Sequence, residues 1–317
     1  MKVYIPQAVA DEGVAFLLER GYEIISGNGT DPETIKATIA DCDAILVRTV
    51  DVSEDVIEAG KKLKIIARHG VGYDNVDIHA AEKRGIWVTN TPQALSDSVA
   101  EYTLAMMLLA GKNILACGEE MRKGNYDYKN THKGMDMAGK TLGILGFGRI
   151  GRKVAEKAHF GLGMKVITYA PTAPEDRMPP YAEKVSWETL FARSDFLTLH
   201  IPGGERNRDL IGERELAMMK PTATILNVAR GEVLDESALD RALRSGALRL
   251  AVLDVQKQEP PAEDWPLYGN ENVILTPHMA SNTEECMARM ALHAAWQIDK
   301  VLDGHQPDWP VNRPKQG

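Results

Sequence analysis

The sequence predicts an α/β protein built from two doubly wound parallel-sheet domains, on three observations. Short β-rich runs alternate with helical patterns along most of the chain. After a looser stretch at 116–139 the alternation restarts with its own first strand and its own glycine turn. The 317 residues, 44% hydrophobic and 26% charged, suffice for two cores of ordinary composition.

In the first series KVYIP precedes DEGVAFLLERG, EIIS precedes DPETIKATIADC, AILVR precedes SEDVIEAGKKL, KIIARHG precedes VDIHAAEKRG, and IWVTN closes the set. Asp31-Pro32 and Ser53 are helix-start signals, a capping residue followed by proline or acid. SDSVAEYTLAMMLLAGKNI, from Ser96, has a polar start and an apolar middle, the pattern of a helix buried between domains or subunits. The stretch from about 116 to 139, around CGEEMRKGNYDYKNTHKGMDMAGK, reads as an exposed arm or loop. The second series runs TLGILGFG, RIGRKVAEKAH, KVITYAP, WETLFARS, FLTLHIP, ERELAMMK, ATILNVAR, DESALDRALRSG, RLAVLDV and NVILTPH, and 283–303 forms a last helix. The expected domains are 1–98 plus 290–317, and 99–289.

A net charge of −8 argues against nucleic-acid binding, which needs basic surface to displace counterions. Cys42, Cys117 and Cys286 lie far apart without metal-ligand spacing and read as packing residues of a reduced compartment, so no metal site is expected. MKVYIPQAVADEG reads as a strand and polar turn rather than a signal-peptide core. The longest apolar stretch, LAMMLLAG, falls far short of the ~20 residues that span a bilayer. A cytoplasmic protein without a membrane partner is expected.

TLGILGFGRIGRKVAEKA places Gly146-x-Gly148-x-x-Gly151 between an apolar strand and an amphipathic helix. Gly146 permits the tight turn, Gly148 a close approach of backbone to pyrophosphate, and Gly151 close packing of helix on strand. The helix N-terminus offers open amides to the phosphates. A carboxylate is expected about 20 residues further on to hold the adenosine ribose. Ala170 ends that strand instead, and Arg177 is the nearest arginine. NAD is the expected cofactor, with NADP left open.

Three further strands end in Arg230, in Asp254 with Glu259 five residues later, and in His278. The carboxyl edge of a parallel sheet is where ligands bind. Reduction of a 2-keto acid needs a cation for the carboxylate and an acid for the developing alkoxide. Arginine offers a permanent charge in a planar fork. Histidine titrates near neutrality, and a carboxylate behind it orients the ring. His278 is therefore the candidate acid/base, with Glu259 behind it.

The motifs HGVGYDNVD, NTPQALSDSVAEYTLAMML, LGFGRIG, ILNVARGEVLDESAL, LDV…EP and NVILTPH, in this order, resemble those of the D-isomer-specific 2-hydroxyacid dehydrogenases. The resemblance implies a flavodoxin-like substrate domain and a Rossmann dinucleotide-binding domain with a cleft between them. It implies that Arg230 binds and polarises substrate, that Glu259 and His278 are the acid/base pair, and that Asp254 holds the nicotinamide carboxamide. Arg149, Ile150, His200, Pro202, Asn207 and Ala229 join the cofactor set, and Val71 and Gly72 meet the substrate carboxylate. A homodimer burying the helix from 98 and the following arm is implied as well.

Departures from the family pattern are Ala170, Gly203-Gly204, Asn207, Gln256 after Asp254-Val255, and Met279-Ala280-Ser281. Arg48 lies in a stretch resembling phosphoglycerate dehydrogenases and could hold a second anionic group, and Tyr73 could shape the side-chain pocket. The implied substrate is a small 2-hydroxy or 2-keto acid of the glyoxylate, hydroxypyruvate or 3-phosphoglycerate class. Two rivals are a cofactor-sensing co-repressor and a formate dehydrogenase, whose histidine partner is glutamine where this chain has Glu259.

Overall fold

The computed structural model describes residues 1–27, 29–174, 176 and 178–314; Arg177 lies outside them. The chain divides into two compact units, Met1–Ser96 with Ser281–Gly317, and Asp97–Ala280.

The first unit alternates β1 (Lys2–Ile5), α1 (Asp11–Glu19), β2 (Glu23–Ser26), α2 (Pro32–Ile39), β3 (Ala44–Val47), α3 (Glu54–Ala59), β4 (Ile65–Arg68), α4 (Ile78–Lys83) and β5 (Trp87–Thr89). The strands pair in parallel in the order β2-β1-β3-β4-β5, that of flavodoxin-like sheets. All four residues of β3 are buried, as in a strand covered on both faces. Asp31 caps α2 by accepting the Thr34 amide at 2.9 Å, with Pro32 in the first turn. Ser53 precedes α3 as expected, but its hydroxyl turns to Asp55 rather than to a backbone amide.

The second unit holds α5 (Ser96–Gly111), α6 (Ile114–Arg122), α7 (Tyr128–Thr131), β6 (Thr141–Leu145), α8 (Arg149–Leu162), β7 (Lys165–Tyr169), β8 (Ala182–Lys184), α9 (Trp187–Arg193), β9 (Phe196–Leu199), α10 (Glu213–Ala217), β10 (Thr224–Asn227), α11 (Glu236–Arg244), β11 (Leu250–Leu253) and β12 (Val273–Leu275). Its sheet runs β12-β11-β10-β9-β6-β7-β8, all parallel. This is the Rossmann order extended by one strand, with its switch point between β6 and β9. Ala100, Met107 and Ala110 of α5 join Leu142, Phe147 and Phe196 in one core cluster beside this sheet.

The last helix, α12 (Glu284–Leu302), returns to the first unit. Its Ala294, Ala295 and Ile298 pack into the same cluster as Val3, Leu46 and Ile65. Gly13 of α1 makes the close approach possible, since a Cβ there would lie 2.7 Å from the Ala291 carbonyl oxygen. A helix with one continuous buried face packs as a whole. The division therefore falls before its Thr283 cap, at Ala280/Ser281, rather than inside it at 289/290.

Three elements differ from expectation. β8 extends the sheet by three residues without an apolar run to announce it. The stretch 116–139, read as an arm or loop, carries most of α6 and all of α7; both helices have no buried residue, so no apolar periodicity marks them. Among the described residues no single helix is long and apolar enough to cross a membrane; α5 and α6 pass such a test only as a pair bent by 59°. Cys42 and Cys286 are buried, and no disulfide forms among the described residues.

Candidate active site

The glycine turn behaves as its spacing demands. Gly146 has φ +94°, and a Cβ there would lie 2.6 Å from the His200 carbonyl oxygen. A Cβ on Gly151 would lie 2.3 Å from the carbonyl oxygen of Gly146, so helix and strand meet at contact distance. At Gly148 the same atom would meet nothing within 4 Å, so this point of the backbone faces open space. Gly148 is also the N-cap of the 14-residue α8 and supplies no side-chain cap, which leaves the first amides, including those of Arg149 and Ile150, open to an anion. A dinucleotide pyrophosphate fits this cradle.

Ala170 follows β7 directly and is buried, leaving no carboxylate at that strand end. His200 follows β9, with its Nε2 3.0 Å from Thr198 Oγ1; burial lowers its pKa to about 3, so the ring is neutral. Asn207 is spent on its own loop, donating from Nδ2 to the Pro202 carbonyl at 2.8 Å. Gly204 is tethered through its amide to Glu232 Oε1 at 2.5 Å.

Beyond β10, Asn227 folds the chain back by donating to the Arg230 carbonyl at 2.9 Å and accepting the Ala229 amide at 3.1 Å. Arg230 Nη1 donates to the Ala229 carbonyl at 2.7 Å. Gly231 is obligatory, because a Cβ there would fall 1.9 Å from the Gln256 carbonyl carbon. That contact presses the arginine turn against the loop that follows β11.

The same loop carries Glu259, and its Oε2 lies 2.7 Å from His278 Nδ1. Glu259 Oε1 accepts the Gln256 amide at 3.1 Å, while Gln256 Nε2 donates to the Thr276 carbonyl at 3.2 Å. Gln256 thus ties together the two segments that bear the pair. Burial alone pushes the Glu259 carboxyl up, but the His278 hydrogen bond and charge, the Gln256 amide and the Arg230 charge outweigh it and hold it below the usual range. The histidine and glutamate side chains remain 48% and 37% exposed, so a small molecule can reach them. With Nδ1 donating to a carboxylate, Nε2 is the nitrogen left to exchange a proton, and it has no partner among the described residues.

Asp254 is fully buried. Its Oδ1 accepts the Thr276 hydroxyl at 2.7 Å, the Met279 amide at 2.9 Å and the Tyr102 hydroxyl at 3.1 Å, and its Oδ2 accepts the Ala280 amide at 2.9 Å. The Tyr102 and Thr276 contacts had no counterpart in the sequence reading; the one available signal was a lone phenol inside the apolar run of α5.

At the carboxyl end of β3, Arg48 Nη1 donates to the Ala8 carbonyl at 3.0 Å. After β4, Gly70 has φ +142° and is pinned by the Thr91 hydroxyl at 3.0 Å. The Val71 and Gly72 amides that follow have no acceptor among the described residues and are suited to an anion. Tyr73 is 41% exposed.

His69, in this turn, is buried, and that burial with the Arg48 charge lowers its pKa from 6.5 to about 4. The unfolded chain therefore binds a proton between these values that the folded chain does not, so this stability is present above 6.5 and is lost as pH falls toward 4. In His69→Ala, the stability lost between about pH 7 and about pH 4.5, measured by urea unfolding, should shrink by about 2 kcal/mol relative to wild type. An unchanged pH dependence would show that His69 is not the group responsible.

Residues 104–280 match the family described as D-isomer specific 2-hydroxyacid dehydrogenase, NAD binding domain. The chain is 40% identical over 99% of its length to a D-3-phosphoglycerate dehydrogenase of Methanocaldococcus jannaschii, of which it spans 60%. It is 37% identical to a hydroxypyruvate reductase of Thermotoga maritima, over 95% of this chain and 98% of that one. Among solved structures, a glyoxylate reductase from Paecilomyes thermophila superposes with a TM-score of 0.88 at 31% identity, covering 98% of each chain. Motifs, sheet order and relatives agree: the chain belongs to the D-isomer-specific 2-hydroxyacid dehydrogenase family.

Proposed function

We propose that this protein is an oxidoreductase that interconverts a small D-2-hydroxy acid and its 2-keto acid, of the glyoxylate, hydroxypyruvate or 3-phosphoglycerate class. The observation that carries the reading is the 2.7 Å contact of His278 with Glu259 beside a guanidinium whose charge acts on that carboxylate. The nicotinamide, when bound, supplies or accepts the hydride. Arg230 grips the substrate carboxylate and polarises the keto group. His278 Nε2 gives its proton to the developing alkoxide in reduction and takes it back in oxidation. Glu259 fixes the orientation of the ring through Nδ1. A carboxylate behind the histidine also favours this reading over formate oxidation, which releases no hydroxyl proton. D-Glycerate and D-lactate should reduce the nicotinamide cofactor while their L-enantiomers do not; oxidation of the L-forms alone would refute the assignment.

For the cofactor, the proposed set is Gly146, Gly148, Arg149, Ile150 and Gly151 at the pyrophosphate, with His200, Pro202, Asn207 and Ala229 lining the strand ends. NAD is the proposed cofactor, with NADP accepted. Because Ala170 neither binds the ribose hydroxyls nor repels a 2′-phosphate, kcat/KM for the two should differ by no more than about tenfold. Ala170→Asp should shift the ratio toward NAD by about a hundredfold, since juxtaposed like charges cost several kcal/mol. A wild-type enzyme that strongly rejects one cofactor would show that another residue decides. We also propose a homodimer, supported by exposed Ile114, Leu115, Met121 and Tyr126 on and beside α6; a monomeric mass in light scattering would contradict it.

A further inference from the structure

The segment that bears His278 is fastened to one buried carboxylate from several directions. The His278 amide donates to the Asp254 carbonyl at 2.7 Å, and the Met279 and Ala280 amides donate to the Asp254 carboxylate, each at 2.9 Å. Thr276, two residues before the histidine, donates its hydroxyl to the same group at 2.7 Å. His278 itself sits at φ +49°, a left-handed conformation that a side-chain-bearing residue keeps only where its surroundings over-determine it. The four contacts to Asp254 provide that over-determination.

Tyr102 closes the arrangement from α5. Its hydroxyl lies 2.5 Å from Thr276 Oγ1 and 3.1 Å from Asp254 Oδ1. A carboxylate only accepts, so the threonine proton points to Asp254 and the phenol proton points into the Thr276–Asp254 pair. Burial, with the Asp254 charge adding to it, pushes the phenol well above its ordinary range, so it remains a donor at every working pH.

We propose that Tyr102 is a positioning residue: through Thr276 and Asp254 it holds the left-handed turn that aims His278, and so couples α5 to the proton-transfer group. The proposal rests on His278 being the acid/base. It also gives Asp254 a task other than holding the nicotinamide carboxamide, since the carboxylate has no exposed surface and already takes four donors.

The two tasks separate in kinetics. Tyr102→Phe should lower kcat for keto-acid reduction about ten- to a hundredfold, the scale of a small misplacement of a reacting group. The dissociation constant for NADH, read by fluorescence quenching, and the melting temperature should stay close to wild type. Thr276→Val should act in the same direction and Thr276→Ser, which keeps the hydroxyl, should restore turnover. Tyr102→Phe combined with Thr276→Val should cost less than the product of the two, because both act through one carboxylate. If Tyr102→Phe does not fold, the Thr276→Val and Thr276→Ser pair carries the same test. Unchanged kcat in Tyr102→Phe and in Thr276→Val, with His278→Gln inactive, would overturn the proposal alone. So would a loss confined to NADH affinity. Turnover retained in His278→Gln would overturn the acid/base reading, and the proposal with it.

Discussion

His278→Gln lowers kcat for keto-acid reduction by about 10²–10⁴-fold and leaves NADH affinity nearly unchanged. That is the usual contribution of one positioned acid. Glutamine can still hydrogen-bond to Glu259, but it has no proton to exchange near neutrality, so the loss falls on the chemical step. Backbone strain is a separate effect. Residue 278 has φ +49°, a region that asparagine and histidine enter more readily than glutamine. His278→Asn is therefore the second variant, and it should be as slow as His278→Gln while keeping the wild-type melting temperature. Stopped-flow NADH oxidation alongside fluorescence quenching separates turnover from binding. Turnover near wild type in either variant would remove the histidine from the chemistry.

Arg230→Ala should lower kcat/KM for the keto acid by about 10²–10³-fold, chiefly through KM. A bidentate arginine–carboxylate contact comprises two charge-assisted hydrogen bonds of about 1.5–3 kcal/mol each, and part of that is recovered as water solvates the freed carboxylate. Arg230→Lys keeps the charge but not the fork, so it should recover only part of the loss. The turn itself should survive, because the Asn227 hydrogen bonds and the packing of Gly231 against Gln256 remain after the guanidinium contact to the Ala229 carbonyl is lost. Ordinary KM for the keto acid in Arg230→Ala would show that the substrate carboxylate is held elsewhere.

The glycine turn and the strand-end residues were legible because each signal is local. Three glycines at fixed offsets mean the same backbone geometry wherever they follow a strand, and the structure shows clashes at Gly146 and Gly151 but open space at Gly148. His278 and Glu259 could be paired because both follow neighbouring strands, β11 and β12. What stayed hidden depends on contacts made across the chain. Tyr102 meets Asp254 from 152 positions away, and nothing in AEYTLAMML marks that phenol as different from a packing tyrosine. Gln256 registers in the sequence only as a departure from an aromatic, yet it links Glu259 to the strand before His278. β8 was missed because Ala-Glu-Lys has no apolar pattern; it is placed by pairing with β7. α6 and α7 were missed because helices without a buried face leave no periodicity to read.

The most direct test of the acid/base reading is a set of initial rates at neutral pH with NADH and with NADPH. The acceptors are glyoxylate, hydroxypyruvate and 3-phosphohydroxypyruvate, and formate with NAD serves as the opposing substrate. Cofactor oxidation with at least one keto acid, and no formate-dependent reduction of NAD, is the expected result. Formate oxidation, or a protein that binds NADH and turns over none of the keto acids, would contradict it.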